Sequence, residues 1–484
     1  MSLTRRSLLA GGALAGAGLL TGCASTGTTS SATPSEVTGS PLPSATALQI
    51  SAAELVPLAL FNWDGFNGEA LFALGGASSQ TSEVGEMIRI VQTINNATGN
   101  PAAPDTPAFD AYVDAFTSFA NQLGTLADQV AAKNPVSART RYLRASTYAT
   151  QALFFILGSS RGVQEQQAFE LVENYWNKAV SLMTPKVEQF QVSSDYGPIP
   201  GYFLSPDSSG SRKPTLIISS GSDGQNVESM QFGVTAGLQR GYNIVLFEGP
   251  GQMTPLFVRN TVFTPNWDQV VGPVLEWTKQ RSDVGKIGLV GISFGGMLCA
   301  RAAAKLTGLS AVVLEPAAYN AIDLWHDTEA VTAVKKALAG SPADQAAAKT
   351  QVNQVMSAAF PHLPRTTQFM IYKRGSIYTT TTQTDARANR APTDYYDLLA
   401  TMASYDFLAD FGQLKIPTMI TENEGDQFFQ DQGAAAYAAL TNVPPQDKLL
   451  LPLTAAQGAQ LHDQPTGPQV AQEYIFDWLA SYLT

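Results

Sequence analysis

The stretch "GLVGISFGGMLC" (288–299) decides how this chain is read. Its centre, Gly291-Ile-Ser-Phe-Gly295, has the Gly-x-Ser-x-Gly spacing of a serine exposed on a sharp strand-to-helix turn. Gly158-Ser-Ser-Arg-Gly162 has the same spacing, so context must choose between Ser293 and Ser160. Before Ser293, "KIGLVGI" is a continuous apolar run of strand type; after it, "GGMLCARAAAKL" reads as a helix with small residues in its first turns. Gly291 and Gly295 allow the strained turn, and the helix N-terminus offers free N–H groups to a developing negative charge. Ser160 has no strand before it. An amphipathic helix ends at Leu157-Gly158 and another starts near Val163, so "GSSRG" reads as a helix–helix turn.

Working outward from Ser293, short β-rich runs recur: "PTLIISSG" (214–221), "YNIVLFEG" (242–249), "SAVVLEP" (310–316), "IPTMITENEG" (416–425) and "KLLLPLT" (448–454). Helical stretches lie between most of them, the pattern of a mostly parallel sheet buried on both faces. "FQVSSDYGPIPGYFLSP" precedes them as a β-hairpin. Residues 49–190 are helical in period, as in "DAYVDAFTSFANQLGTLADQVAAK". The expected class is therefore α/β. The expected divisions are a helical domain (49–190), a first core segment (191–316), a helical lid insertion (317–405) over the sheet's C-terminal edge, and a second core segment (406–484).

A serine hydroxyl needs a base, and the chain has three histidines. His326 and His362 fall in the insertion and read as surface or capping residues. His462 follows the last strand in "AAQGAQLHDQ", just before the closing helix, where a chain order of Ser, acid, His puts the base. The acid belongs in the loop after the preceding strand. There Asp426, after Gly425, is favoured over Glu424, and Glu422 reads as solvated. An oxyanion site would use the backbone N–H of Phe294 and that of Ser222 or Asp223, next to Gly221 in "IISSGSDGQN". Glu315, ending "AVVLEP", either faces the pocket as an extra acid or caps the insertion.

The chain of 484 residues opens "MSLTRRSLLAGGALAGAGLLTGCAS". Arg5 and Arg6 precede an apolar stretch, which resembles a twin-arginine export signal (1–22), and Leu20-Thr21-Gly22-Cys23 resembles a bacterial lipobox with Cys23 as the lipidated residue. Residues 23–48, rich in Ser, Thr, Pro, Gly and Ala, read as a flexible tether. These features predict export and lipid anchoring on the outer side of a bacterial membrane. A formal charge of −11 makes nucleic acid a poor partner. Cys23 and Cys299 form neither a disulfide framework nor a metal cluster, so no metal or organic cofactor is expected.

Ser293 in "GISFGG", Asp426 in "ENEGD" and His462 in "GAQLHDQ" together resemble an α/β-hydrolase triad. "LFEGPGQ" (246–252) and "RYLRASTYATQALFF" (141–155) resemble a subgroup of that superfamily with an N-terminal helical domain, which includes 2,6-dihydroxypseudooxynicotine hydrolase and fungal pigment hydrolases that shorten polyketides. The chain departs from the subgroup at Met253, where a small residue is common, and at Asp463, where Cys is common. The resemblance implies a serine hydrolase acting on an ester or on a carbon–carbon bond beside a ketone of a small organic substrate. Two other classes stay open: a peptidase of the same fold, for which the helical region shows no obvious Glu–Glu pair, and a surface lipoprotein using the fold to bind. The chain leaves room for a homodimer.

Overall fold

The computed structural model describes residues 58–484, apart from 326–327 and 430–431. The export-type leader, Cys23, the tether, the start of the helical region and His326 lie outside the described residues. The described part belongs to one unit spanning 49–484.

Among the described residues five helices come first: α1 (Asp64–Gly75), α2 (Val84–Thr98), α3 (Thr106–Asp128), α4 (Pro135–Phe155) and α5 (Glu165–Ser181). The Asp105 carboxylate caps α3 by accepting from the Ala108 amide at 3.1 Å, and proline follows in the first turn. Phe66, Tyr112 and Phe155 meet at ring-centroid distances of 4.4–4.8 Å and close this layer's core. The "GSSRG" stretch is a turn between short 3₁₀ segments, and α5 starts at Glu165. There the amide and hydroxyl of Ser160 both donate to Asp110, at 2.8 and 2.9 Å.

Eight strands follow: β1 (Glu188–Val192), β2 (Ile199–Leu204), β3 (Lys213–Ser219), β4 (Asn243–Phe247), β5 (Val284–Ile292), β6 (Ala311–Glu315), β7 (Thr418–Asn423) and β8 (Lys448–Leu453). Their order in the sheet is β1-β2-β4-β3-β5-β6-β7-β8. β1 and β2 form an antiparallel hairpin and β2 meets β4 antiparallel; from β4 to β8 the sheet is parallel. Every residue of β4 and of β6 is buried, so both sheet faces are covered, as the unbroken apolar runs require.

The topology places the site. After β3 the chain passes through α6 (Val234–Gln239) to β4 on one side of β3. It then returns through α7 (Met253–Phe257) and α8 (Trp267–Lys279) to β5 on the other side. The loops leaving β3 and β5 diverge, opening a crevice at the carboxyl ends of the strands. Between β6 and β7 lie α10 (Glu329–Leu338), α11 (Pro342–Ala359), α12 (Arg365–Gly375), α13 (Thr380–Arg387) and α14 (Tyr395–Ala403). His362 ends a 3₁₀ turn before α12 and is exposed.

This segment is bound to the N-terminal helices as well as to the sheet. Phe369 on α12 packs on Phe109 and Phe155 at 5.1 and 5.2 Å. Arg365 donates to the carbonyls of Gly158, Leu157 and Ser159 at 2.8, 3.1 and 3.3 Å, satisfying the end of the α4 region. Arg387 pairs with Glu165 at 2.7 Å.

Candidate active site

Ser293 stands between β5 and α9 (Phe294–Lys305) with φ 53° and ψ −126°, a left-handed backbone for a residue with a side chain. The surroundings hold it there. A Cβ on Gly291 would lie 2.2 Å from the Gly295 carbonyl oxygen, so only glycine allows the chain to turn this sharply. The Ser293 amide donates to the Glu315 carbonyl at 2.6 Å, tying the turn to the end of β6.

The structure brings together Ser293, His462 and Asp426. His462 Nε2 lies 2.9 Å from Ser293 Oγ, and His462 Nδ1 lies 2.8 Å from Asp426 Oδ2. His462 and Asp426 are each 4 % exposed. Asp426 is fixed from behind, because its Oδ1 accepts the amides of Phe428 and Phe429 at 2.7 and 2.8 Å. The rings of those two phenylalanines flank the imidazole at 4.9 and 5.0 Å. Burial pushes the Asp426 carboxyl up, but His462 and the two amides outweigh it and hold it below the usual range. Burial opposes a charged His462, while Asp463 and Asp426 outweigh that and raise its proton affinity. Asp426 accepting from Nδ1 leaves Nε2 free to take the serine proton.

Glu424 does not join this group. It is exposed and accepts the Ala455 amide at 2.7 Å. Glu315 is fully buried at the end of β6, and neither carboxyl oxygen has a hydrogen-bond partner among the described residues. Burial first, and Asp463 second, push it up to about 8, so it holds its proton at neutral pH.

The loop after β3 faces the serine from across the crevice. A Cβ on Gly221 would lie 2.7 Å from the Ser293 Cβ, so the loop can approach only as glycine. The "EGPGQ" motif braces it. The Gln252 side-chain amide donates to the carbonyls of Ser220 and Gly221 at 2.5 and 3.0 Å, while its oxygen accepts the Gly249 amide at 3.1 Å. Two carbonyls held toward Gln252 fix the orientation of the peptide planes between Ser220 and Ser222. The amide of Phe294, first residue of α9, has no intrahelical acceptor by position.

A cavity lies above these groups. Phe72 of α1, Phe154 of α4, Trp325, Met370, Tyr378 and Phe428 give it apolar walls. Its polar end is charged. Asp223 pairs with Arg374 and, at 3.1 Å, with Lys373, both at the end of α12. Burial raises the Asp223 carboxyl, but the two cations outweigh it and bring it to about 2. Glu69 from α1 and Glu228 also line the cavity. Burial and neighbouring carboxylates push Glu69 well above its ordinary value; burial is the chief cause that takes Glu228 to about 7. Lys373, Arg374, Glu69 and Glu228 escaped sequence reasoning, since each is an ordinary charge on an amphipathic segment until the fold closes over the sheet.

Among the described residues, no group of three or more His, Cys, Asp or Glu side chains is placed to hold a metal ion. Nor is any described helix long and apolar enough to cross a membrane.

Comparison with known proteins agrees with this architecture. Hydrolase acrC of Aspergillus aculeatus is 29 % identical over 262 residues, covering 50 % of this chain and 59 % of its own. The 20-hydroxy-prefusarin hydrolase FUS2 of Gibberella moniliformis is 28 % identical over 260 residues, with coverages of 50 % and 58 %. The chain thus spans somewhat under two thirds of these fungal relatives. Among solved structures, the 2,6-dihydroxy-pseudo-oxynicotine hydrolase superposes with a TM-score of 0.61 at 18 % identity, over 85 % of this chain and 96 % of that one. At that identity the likeness is one of fold: a mostly parallel sheet preceded by helices. The family model for X-Pro dipeptidyl-peptidase (S15 family) matches residues 172–455, a span that contains Ser293 and Asp426 and ends just before His462. With more than half its length matched and this sheet beneath its site, the chain has the α/β-hydrolase fold and belongs to the X-Pro dipeptidyl-peptidase (S15) family.

Proposed function

We propose that the chain is a serine hydrolase that cleaves an ester or an acyl carbon–carbon bond of a small organic substrate. The observation that carries this reading is the contact series from Ser293 Oγ to His462 Nε2, 2.9 Å, and from His462 Nδ1 to Asp426 Oδ2, 2.8 Å, built on a left-handed Ser293. In the proposed reaction Ser293 Oγ bonds to the carbonyl carbon as its proton passes to His462 Nε2. The carbonyl electron pair moves onto oxygen, facing the amides of Phe294 and of Ser222 or Asp223. Collapse expels the leaving group, which takes the proton from Nε2. Water, deprotonated by His462, then releases the acyl group and restores Ser293. An alcohol needs only the proton from Nε2 to leave. A carbon leaving group must delocalise its charge, so that branch requires a 1,3-diketone or a phenol-linked ketone. The mainly apolar cavity wall fits either.

A second reading, a peptidase of the same fold, is favoured by the family and by one feature of the cavity. Glu69 and Glu228 face it with no cation paired to either among the described residues, whereas Asp223 has both Lys373 and Arg374. A protonated substrate amine would find acceptors there.

The leader supports a further part of the proposal, export through the twin-arginine route and lipid anchoring at Cys23. A binding lipoprotein without turnover is the alternative.

The test is labelling by a fluorophosphonate. Labelling lost in Ser293→Ala and kept in Ser160→Ala supports an activated Ser293; absence of labelling in the folded wild type sinks the reading. Turnover of p-nitrophenyl esters, of 1,3-diketones or of aminoacyl-naphthylamides then separates esterase, carbon–carbon hydrolase and peptidase.

A further inference from the structure

His462 has a second acid beside it. Asp426 holds Nδ1, while a carboxylate oxygen of Asp463 comes to 3.5 Å from Nε2, the nitrogen that also meets Ser293 Oγ at 2.9 Å. That separation exceeds a hydrogen bond but lies within ion-pair reach. Adjacent side chains usually diverge. Here Asp463 and Gln464 are both left-handed, with φ 54° and 49°, and the turn folds the Asp463 carboxylate back to the ring. Left-handed backbone at residues other than glycine is strained and persists only where the surroundings enforce it. Asp463 is 5 % exposed, and its Oδ1 has no hydrogen-bond partner among the described residues. His462 and the Ser293 backbone favour its ionised form against burial, and Nε2 can supply the positive charge.

We infer that Asp463 is a positioning residue that acts on His462 Nε2, so that the imidazolium formed when Ser293 gives up its proton is held between two carboxylates. The inference rests on the serine-hydrolase reading. Four other groups face the pair: Asp426 from the loop after β7, Glu315 from the end of β6, Glu228 from the loop after β3, and Arg374 from α12. Burial and, to a lesser degree, Arg374 oppose the imidazolium; Asp463 and Asp426 favour it and prevail. Glu315 keeps its proton and adds no charge at neutral pH. Burial raises Asp463 itself to about 7 against the pull of His462, so the two side chains titrate as a coupled pair. During acylation one proton moves from Oγ to Nε2 and then to the leaving group. Asp463 acts in its carboxylate form, which His462 favours, and neither gains nor loses an atom in the step.

The deciding experiment is a histidine side-chain NMR titration of the full chain, with ¹⁵N-labelled histidine, comparing wild type with Asp463→Asn. Three histidines give few signals, and loss of one in His462→Gln assigns it. The expected result is that His462 titrates at lower pH in Asp463→Asn. Titration at the same or higher pH overturns the inference. Should Asp463→Asn fail to fold, Asp463→Ser carries the same comparison. In parallel, the acid limb of fluorophosphonate labelling should move to lower pH in the variant. A slower rate with an unmoved limb would mean that Asp463 only shapes the loop. The titration needs no turnover, so an unlabelled wild type would overturn the serine-hydrolase reading while the role of Asp463 at Nε2 was still decided.

Discussion

Gly221 and Ser293 approach so closely across the crevice that a Cβ on the glycine would lie 2.7 Å from the Cβ of the serine. They come from different strand ends, β3 and β5, which the topology makes neighbours although 71 residues lie between them in the chain. Gly221 also has the Ile292 carbonyl 3.0 Å from the same point, so an added methyl group has backbone on one side and the Ser293 side chain on the other.

Gly221→Ala should therefore fold and fail. The loop must withdraw to admit the methyl group, carrying the amide of Ser222 or Asp223, the proposed second oxyanion donor, out of register. Loss of one such donor typically lowers kcat by about 100- to 1000-fold. We expect a loss of that order in the rate of Ser293 phosphonylation, in a protein that still unfolds cooperatively at a melting temperature lowered by the strained contact. A variant labelled at the wild-type rate would remove this loop from the oxyanion site.

Gln252 tests the same loop from behind. Its amide nitrogen meets two carbonyls and its oxygen meets the Gly249 amide, all in a buried site. Gln252→Leu keeps the bulk, leaves the Gly221 carbonyl and the Gly249 amide without their side-chain partner and the Ser220 carbonyl with only a long bond from Ser219 Oγ, each loss costing on the order of 1–3 kcal/mol. The melting temperature should fall by several degrees and the labelling rate should fall as well. A drop in stability without a drop in rate would show that the motif braces the fold only.

The sequence made the sheet legible because its strands are buried on both faces and so read as unbroken apolar runs, from "LIIS" in β3 to "AVVLE" in β6. The turn at Ser293 was legible because small residues are demanded on both sides of it; Gly295, for example, would place a Cβ 2.7 Å from the carbonyls of Ser219 and Ser220. His462 was legible because there are few histidines and one follows the last strand. The choice of Asp426 over Glu424 rested on loop position, and the geometry has a local cause: Asp426 closes a turn on the amides of Phe428 and Phe429. The charged end of the cavity was not legible. Asp223 meets Lys373 and Arg374 some 150 residues away, and Glu69 enters from a helix near the start of the described chain. Long-range electrostatics of this kind leave no periodic signal. Asp463 stood out only as a departure from a family pattern, and its closeness to Nε2 comes from a left-handed turn that residue type does not announce.

Arg365 predicts how the helical segment between β6 and β7 is held. Its guanidinium satisfies three carbonyls at Leu157, Gly158 and Ser159, and it donates as well to the Asn389 side chain at 2.8 Å. Burial lowers its proton affinity somewhat, which for a guanidinium still leaves the charge intact at neutral pH. Arg365→Ala uncovers these carbonyls and should cost about 2–3 kcal/mol, read as a shift in urea midpoint at unchanged slope. Arg365→Lys should recover only part of it, because an ammonium cannot reproduce the planar fork. Full recovery by lysine would mean that charge alone matters.

Glu315 gives the clearest pH prediction. It is buried at the end of β6 with neither oxygen partnered, and burial pushes it up to about 8. In the unfolded chain a glutamate ionises near pH ~4.3. Between these two values the folded state binds more protons than the unfolded state, so this group makes stability fall as pH rises through the window. Above about 8 the carboxylate ionises in both states and the loss levels off. Glu315→Gln removes the titration while keeping the shape. The variant's melting temperature, relative to wild type, should therefore climb between pH 5 and pH 8, and the gap should stay constant above that. A gap independent of pH over the whole range would show that Glu315 ionises in the folded protein as it does in water, and that an unmapped partner satisfies its carboxylate.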